Sequence, residues 1–440
     1  MSTTTKSQNN LVPIMIIGGL FAIFGFVTWI NGALIPFMKT INELTETQAY
    51  LVATASYISF VVMALPASYI ISKTGYRNGI SLGLAIMAIG ALVFIPAAEA
   101  RTYWMFLLAI FIQGIGMTIC QTAANPYITI LGPIESGAKR MAMMGIANKV
   151  AGALGSIIFG ALLLSGIDDV NEKIGNVSAD EKNVLLDTMA DSVHTPYIVM
   201  AVVLFIFALL IRKAALPNVE ATEEEALAEG ETSSSKTIFQ YPHLWMGVLA
   251  LFVYVGAEVI AGDTIIAYGI SLGIPAADAK FFTTYTLMAM VVTYALGVLL
   301  IPKYIQQKTA LVISAILGII FSTLIITTSG FTSVLFVAAL GVSNALVWPA
   351  IWPLTLDGLG KHTKTASALL IMAISGGAII PPLYGRIVEA NKHELITNGL
   401  QEADALATAA TSSYWILIPC YAIVLFFAVW GHKIKNWSKQ

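Results

Sequence analysis

Runs of about twenty apolar residues recur along almost the whole chain, each long enough to cross a bilayer as a helix. They predict twelve helices, over roughly 12–37, 49–71, 79–97, 103–128, 141–165, 196–213, 244–268, 281–302, 309–328, 331–354, 364–387 and 413–434. The short alternating segments of a membrane β-barrel are missing. The expectation is an all-α, multi-pass membrane protein with twelve transmembrane helices. Composition agrees: 57% of residues are hydrophobic and 11% charged, against about 25% charged in soluble domains.

Charge changes the picture by where it occurs. Among Asp, Glu, Lys and Arg, only Lys149, Glu258 and Asp263 fall well inside apolar runs. A charged group at the bilayer centre costs roughly 2.5–3.5 kcal/mol on insertion scales, so such residues face a protein interior or a water-filled cavity and mark an ion or substrate pathway. Lys and Arg in the loops favour one side by about two to one, which puts both termini in the cytoplasm. The N-terminus has a polar lead, a long span and no small-residue cleavage signal, so the first helix is expected to be retained. Cys120 and Cys420 lie in predicted helices and imply no disulfide framework. The net charge of −2 comes without a basic stripe, and no nucleic-acid partner is expected.

An acidic, Ser/Thr-rich stretch over residues 214–240 reads as a cytoplasmic linker between two six-helix bundles, 1–213 and 241–440. The two halves show faint similarity at a near-constant offset. Ile30-Asn31-Gly32-Ala33 matches Ile260-Ala261-Gly262-Asp263, Arg77 matches Lys308, and Ala123-Ala124-Asn125-Pro126 matches Ala350-Ile351-Trp352-Pro353. Duplicated bundles of this kind place substrate near the midplane between halves that rock around it. Pro126, Pro349, Pro353 and the Pro381-Pro382 pair are the candidate helix breaks; simple packing kinks are the alternative.

Several of these residues carry a resemblance. Ala123-Ala124-Asn125-Pro126-Tyr127 with Leu131-Gly132-Pro133, Tyr254-Val255-Gly256-Ala257-Glu258, Gly376-Gly377-Ala378 and Asn31-Gly32-Ala33-Leu34-Ile35-Pro36 resemble the fucose–galactose–glucose:cation symporters of the major facilitator superfamily. Within it the chain is most similar to bacterial glucose/galactose and N-acetylglucosamine transporters. The resemblance implies the major facilitator fold, two pseudo-symmetric six-helix bundles, with helices 1, 4, 7 and 10 lining the cavity. It also departs from the pattern. Gly32 and Gln121 stand where the fucose member carries acids, so its proton route does not carry over. Ser72 stands where the loop signature of the superfamily has an Asp.

Helix 7 then becomes the candidate ion site. Glu258 and Asp263 are about 140° apart and roughly 7.5 Å along an ideal helix, so they need not serve one ion. Local unwinding at Gly262 would set carbonyls and the Thr264 hydroxyl beside Asp263, oxygen ligands suited to Na⁺. A loop-edge acid at the outer water interface is the plainer reading of Asp263, and a structural hydrogen bond that of Glu258. Lys149, roughly 13 Å into the bilayer, either snorkels to the inner surface or serves as an internal counter-charge for a carboxylate.

Sugars need planar amides for paired hydroxyls and aromatic faces for the C–H side of the ring. Asn31, Gln121, Asn125, Asn148 and Asn344 are the embedded amides, and Trp29, Trp348 and Trp352 the aromatics. Lipid contact or helix–helix hydrogen bonding is the alternative for each. The five histidines lack metal-ligand spacing, Gly358-Leu359-Gly360-Lys361 lacks the full phosphate-loop pattern, and no nucleophile motif is present, so an enzyme is not expected. The reading is a monomeric secondary transporter in a bacterial inner membrane, taking in a hexose with Na⁺ or H⁺, surrounded by lipid and without a bound cofactor. Glu258, Asp263 and Lys149 are its coupling residues, and the first two its candidate Na⁺ ligands. An exporter or antiporter of another solute and a non-transporting sugar sensor are the alternatives.

Overall fold

The computed structural model describes residues 11–130, 137–174, 177–214, 237–301 and 303–437, apart from the side chains of 11–13, 126–130, 137–139, 361 and 364. Most of the linker and the Leu131-Gly132-Pro133 part of the helix 4 motif lie outside the described residues, as do the side chains of Pro126 and Tyr127. Among the described residues there is no strand. Among the same residues eleven helical spans are long and apolar enough to cross a membrane. One of them, Glu46–Glu99, is two helices meeting at Gly75, whose φ of 76° and ψ of 160° are not helical. A glycine takes that left-handed angle without the Cβ clash other residues would suffer. Twelve membrane segments result.

They are α1 (Ile14–Ile41), α2 (46–74), α3 (76–99), α4 (Tyr103–Ile130), α5 (Gly137–Leu163), α6 (His194–Lys213), α7 (Pro242–Ser271), α8 (Phe282–Leu300), α9 (Gln307–Thr327), α10 (Gly330–Leu356), α11 (Thr365–Thr397) and α12 (Glu402–Lys433). Between α5 and α6 the acidic loop folds into two short polar helices, Ile167–Ile174 and Ala179–Asp191. The second is capped by Ser178, which accepts from the Glu181 amide while the Glu181 carboxylate returns to Ser178. That reciprocal arrangement satisfies backbone donors left over at a helix start.

Within the first six helices α1 packs on α5, and α4 on α2 and α3; within the last six, α7 packs on α11 and α12, and α9 on α10. The two sets meet along α5–α8 and α2–α11. Lipid tails supply no hydrophobic drive between helices, so close backbone approach at small residues carries much of the association. A Cβ on Gly25 of α1 would lie 2.8 Å from the Asn148 Cα of α5, and one on Gly116 would lie 2.8 Å from the Met87 amide. Gly25→Leu is therefore expected to force α1 off α5 and cost about 1–3 kcal/mol, read as a lowered melting temperature of the purified protein in detergent.

Among the described residues five membrane helices are irregular at mid-length, α12 through a 3-10 turn at Tyr414–Ile416. α1 breaks at Ile30, α10 at Ala345 and Leu346, and α11 at Ile374 and Ser375. These three breaks lie three to seven residues before a proline: Pro36, Pro349 and Pro381. A proline ring clashes with the carbonyl four residues earlier and removes one donor, so strain appears upstream of the ring itself. The prolines therefore sit inside continuous helix and the breaks precede them. α7 has a proline only at its start, Pro242; at mid-length it widens into a π-helical turn over Ile260–Thr264.

Ties between the two halves gather on the predicted outer side. Glu389 of α11 accepts from the amide of Thr47, at 3.2 Å, and from its hydroxyl. Asp168 accepts from the Ala276 amide at 2.9 Å, and Tyr50 meets Tyr384 edge-on at 5.5 Å. Nearer mid-membrane, Thr54 donates to the Ala378 carbonyl at 2.7 Å. This side is closed. A hydrogen bond to a charged group contributes about 1.5–3 kcal/mol, so Glu389→Ala with Asp168→Ala is expected to raise thiol labelling of a cysteine at Thr54 by at least about tenfold.

Candidate functional site

The interrupted helices converge where α1 meets α7. The two segments paired as a repeat face one another: a Cβ on Gly32 would lie 3.2 Å from the Gly262 carbonyl oxygen. Only a residue without a side chain lets α1 sit this close to the π-turn.

Asp263 lies inside that turn and is fully buried, with neither carboxylate oxygen hydrogen-bonded. It is not the loop-edge acid of the plainer reading. The Asn31 amide faces it and donates one of its two N–H bonds to the Ser56 hydroxyl at 3.3 Å. The helix is widened rather than unwound, and the oxygens this exposes are engaged. Thr283 of α8 donates to the Gly262 carbonyl at 2.7 Å and Thr286 to that of Ala261 at 3.1 Å. Thr264 donates to Ile260 at 2.8 Å and pairs with the Tyr414 hydroxyl at 2.7 Å.

Lys149 does not snorkel. Its ammonium crosses from α5 to α7 and donates to Glu258 Oε1 at 2.7 Å, with both side chains almost wholly enclosed. The same ammonium lies 4.1 Å from the centre of the Trp29 ring. Lys149 pairs with Glu258, and the Trp29 ring beneath that ammonium abuts Gly262 next to Asp263, so the three charges embedded in the apolar runs form one cluster between the halves. A buried charge without a partner is expensive, and an ion pair removes that cost for Lys149 and Glu258. Asp263 has no such relief; a bound proton or metal cation would supply it.

The amides and tryptophans divide into two groups. Asn31, Asn148 and Trp29 surround the cluster: Trp29 donates from Nε1 to Asn148 Oδ1 at 3.3 Å, and Asn148 donates to the Phe21 carbonyl at 3.2 Å. Asn344 is fully buried on α10, its Oδ1 accepting from Tyr421 at 2.8 Å while its Nδ2 has no partner. Gln121, Trp348 and Trp352 are half-buried and lie towards the predicted inner ends of α4 and α10. The two indoles stand 5.7 Å apart at 54°. Asn125 is buried with Nδ2 unpartnered.

Four tyrosines were missed by the sequence reading. Tyr57 lies near both Asp263 and Glu258, and Tyr254, Tyr294 and Tyr421 lie near Glu258, all four of them buried. Their signal was present: each is a polar-tipped ring inside an apolar run, where a hydroxyl needs a partner.

The chain matches the Major Facilitator Superfamily over residues 17–382. It is 32% identical over 437 residues to a glucose/galactose transporter of Brucella abortus (biovar 1, strain 9-941), covering 98% of this chain and 97% of the relative. It is 27% identical over 430 residues to the L-fucose-proton symporter of Escherichia coli (strain K12), covering 96% of this chain and 94% of that one. Among solved structures, the transporter FucP in its outward conformation superposes with a TM-score of 0.72 at 25% identity, over 98% of this chain and 100% of that chain. The proton:xylose symporter XylE bound to 6-bromo-6-deoxy-D-glucose gives 0.62 at 16% identity, over 95% of this chain and 94% of that one, a likeness of fold alone. Matched over most of its length and sharing the twelve-segment architecture, the chain belongs to the Major Facilitator Superfamily, and its relatives are those expected of a fucose–galactose–glucose:cation symporter.

Proposed function

We infer that this chain imports a hexose together with a cation by alternating access, across a bacterial inner membrane with both termini cytoplasmic. The observation that carries the reading is a fully buried Asp263, without hydrogen-bond partners, beside an ion pair that joins the halves. A carboxylate that a cation neutralises, next to a contact that must change when the halves rock, couples ion occupancy to conformation. Relatives named as a glucose/galactose transporter and an L-fucose-proton symporter supply the substrate class.

The coupling cation in this reading is a proton taken up at Asp263. The sequence inclined towards Na⁺ held by Asp263 and Glu258. Na⁺, like other hard cations, takes several oxygen ligands. Here the nearby carbonyls and the Thr264 hydroxyl already have partners, and the Lys149 ammonium sits on Glu258. The Asp263 oxygens remain, and a proton needs no more than one of them.

On the sugar side, the half-buried Gln121, Trp348 and Trp352 offer an amide and two ring faces towards the predicted inner end. Asn125 and the free Asn344 Nδ2 extend that surface into the bundle. The test is uptake of radiolabelled glucose, galactose, N-acetylglucosamine and fucose into proteoliposomes under an inward H⁺ or an inward Na⁺ gradient. Accumulation driven by H⁺ supports the reading. Accumulation driven by Na⁺ alone moves the cation site to a metal, and no uptake of any sugar removes the reading.

A further inference from the structure

Trp29 stands among the sugar-stacking candidates, but in the structure its ring is used up. It is the last residue before the α1 break and is 3% exposed. A Cβ on Gly152 of α5 would lie 2.9 Å from its Cγ, and one on Gly262 of α7 would lie 2.8 Å from its Cε3. One edge of the indole therefore rests on α5 and the other on the π-turn that carries Asp263. The Lys149 ammonium takes a face, 4.1 Å from the ring centre, and Nε1 is held by Asn148 at 3.3 Å. With 3% of the residue exposed, little of the ring is left for a sugar.

We propose that Trp29 is a positioning residue of the coupling centre: its face holds Lys149 against Glu258, and its edge sets the π-turn that displays Asp263. A cation over an indole face is attracted by the ring quadrupole, more strongly where water is excluded. A flexible lysine stem has many rotamers, and the ring confines the ammonium to those that reach Glu258. The same rigid plate touches the backbone beside Asp263, so a change at the ion pair on one side of the ring is transmitted to the carboxylate on the other. Glycines at 152 and 262 are what let the plate seat on both helices.

The proposal rests on the cation-coupled reading, and its test separates the two. Trp29→Leu removes the π face and Nε1 while keeping apolar bulk; Trp29→Phe keeps a face and loses Nε1. In proteoliposomes, Trp29→Leu is expected to move the H⁺ concentration for half-maximal uptake by about three- to thirtyfold, with Trp29→Phe recovering most of the shift. Sugar affinity of the detergent-purified protein is expected to change less than about threefold. A thermal double-mutant cycle of Trp29→Leu with Lys149→Met is expected to be non-additive, as contacting residues are. Additive melting shifts together with loss of sugar affinity and an unmoved cation midpoint would overturn the proposal and return Trp29 to the sugar site. A non-transporting wild type would remove the coupling reading instead. The cycle, which needs no transport, then decides by itself whether Trp29 holds Lys149.

Discussion

Asp263→Asn is expected to abolish concentrative uptake while sparing exchange. A pH difference of one unit is worth about 1.4 kcal/mol, enough for tenfold accumulation when one proton moves with each sugar. Asparagine matches the shape of the neutral acid but neither gains nor loses a proton, so the halves can still rock around sugar without drawing on the gradient. The accumulation ratio is expected to fall from about ten to about one, with counterflow of labelled sugar between equilibrated compartments largely retained. Loss of counterflow as well would mean that Asp263 holds the fold or the sugar. Intact accumulation would exclude it from coupling.

Glu258→Gln has the other large effect, and it separates folding from transport. Lys149 Nζ and Glu258 Oε1 are 2.7 Å apart in a site with little water, and removing one member of a buried pair typically costs about 3–5 kcal/mol because the remaining charge has no partner. The single variant is expected to melt several degrees lower and to lose gradient-driven accumulation, with some sugar exchange left. Combining Glu258→Gln with Lys149→Met removes both charges and is expected to recover most of the melting temperature, since apolar replacement of a whole buried pair is often neutral. Transport is expected to stay impaired. If the double variant melts no higher than the single one, the pair is not what holds α5 to α7.

The membrane segments and the embedded charges were legible in the sequence for the same reason. A bilayer imposes one length and one penalty everywhere, so a twenty-residue apolar run or a lone acid inside one stands out without any knowledge of neighbours. What was not legible depends on partners far away in the chain. Lys149 and Glu258 are separated by 109 residues, and nothing local distinguishes a lysine that snorkels from one that pairs. The shape of α7 was half legible. Gly262 beside Asp263 suggested irregular backbone, but the π-turn depends on Thr283 and Thr286 of α8 meeting its carbonyls. Trp29 was misjudged because an indole suits a sugar, a lipid or an ammonium equally well; Gly152 and Gly262, which enclose it, lie on other helices. The proline breaks were placed at the prolines, whereas the ring strains the turn before it.

Coupling is tested most directly by letting sugar do the driving. Wild-type proteoliposomes in weak buffer, with no ion gradient imposed, are given a transported hexose outside while external pH and Na⁺ are followed. The account predicts alkalinisation of the medium that begins with sugar entry and is absent from Asp263→Asn. Sugar entry without a pH change would contradict it, whether or not Na⁺ moves instead.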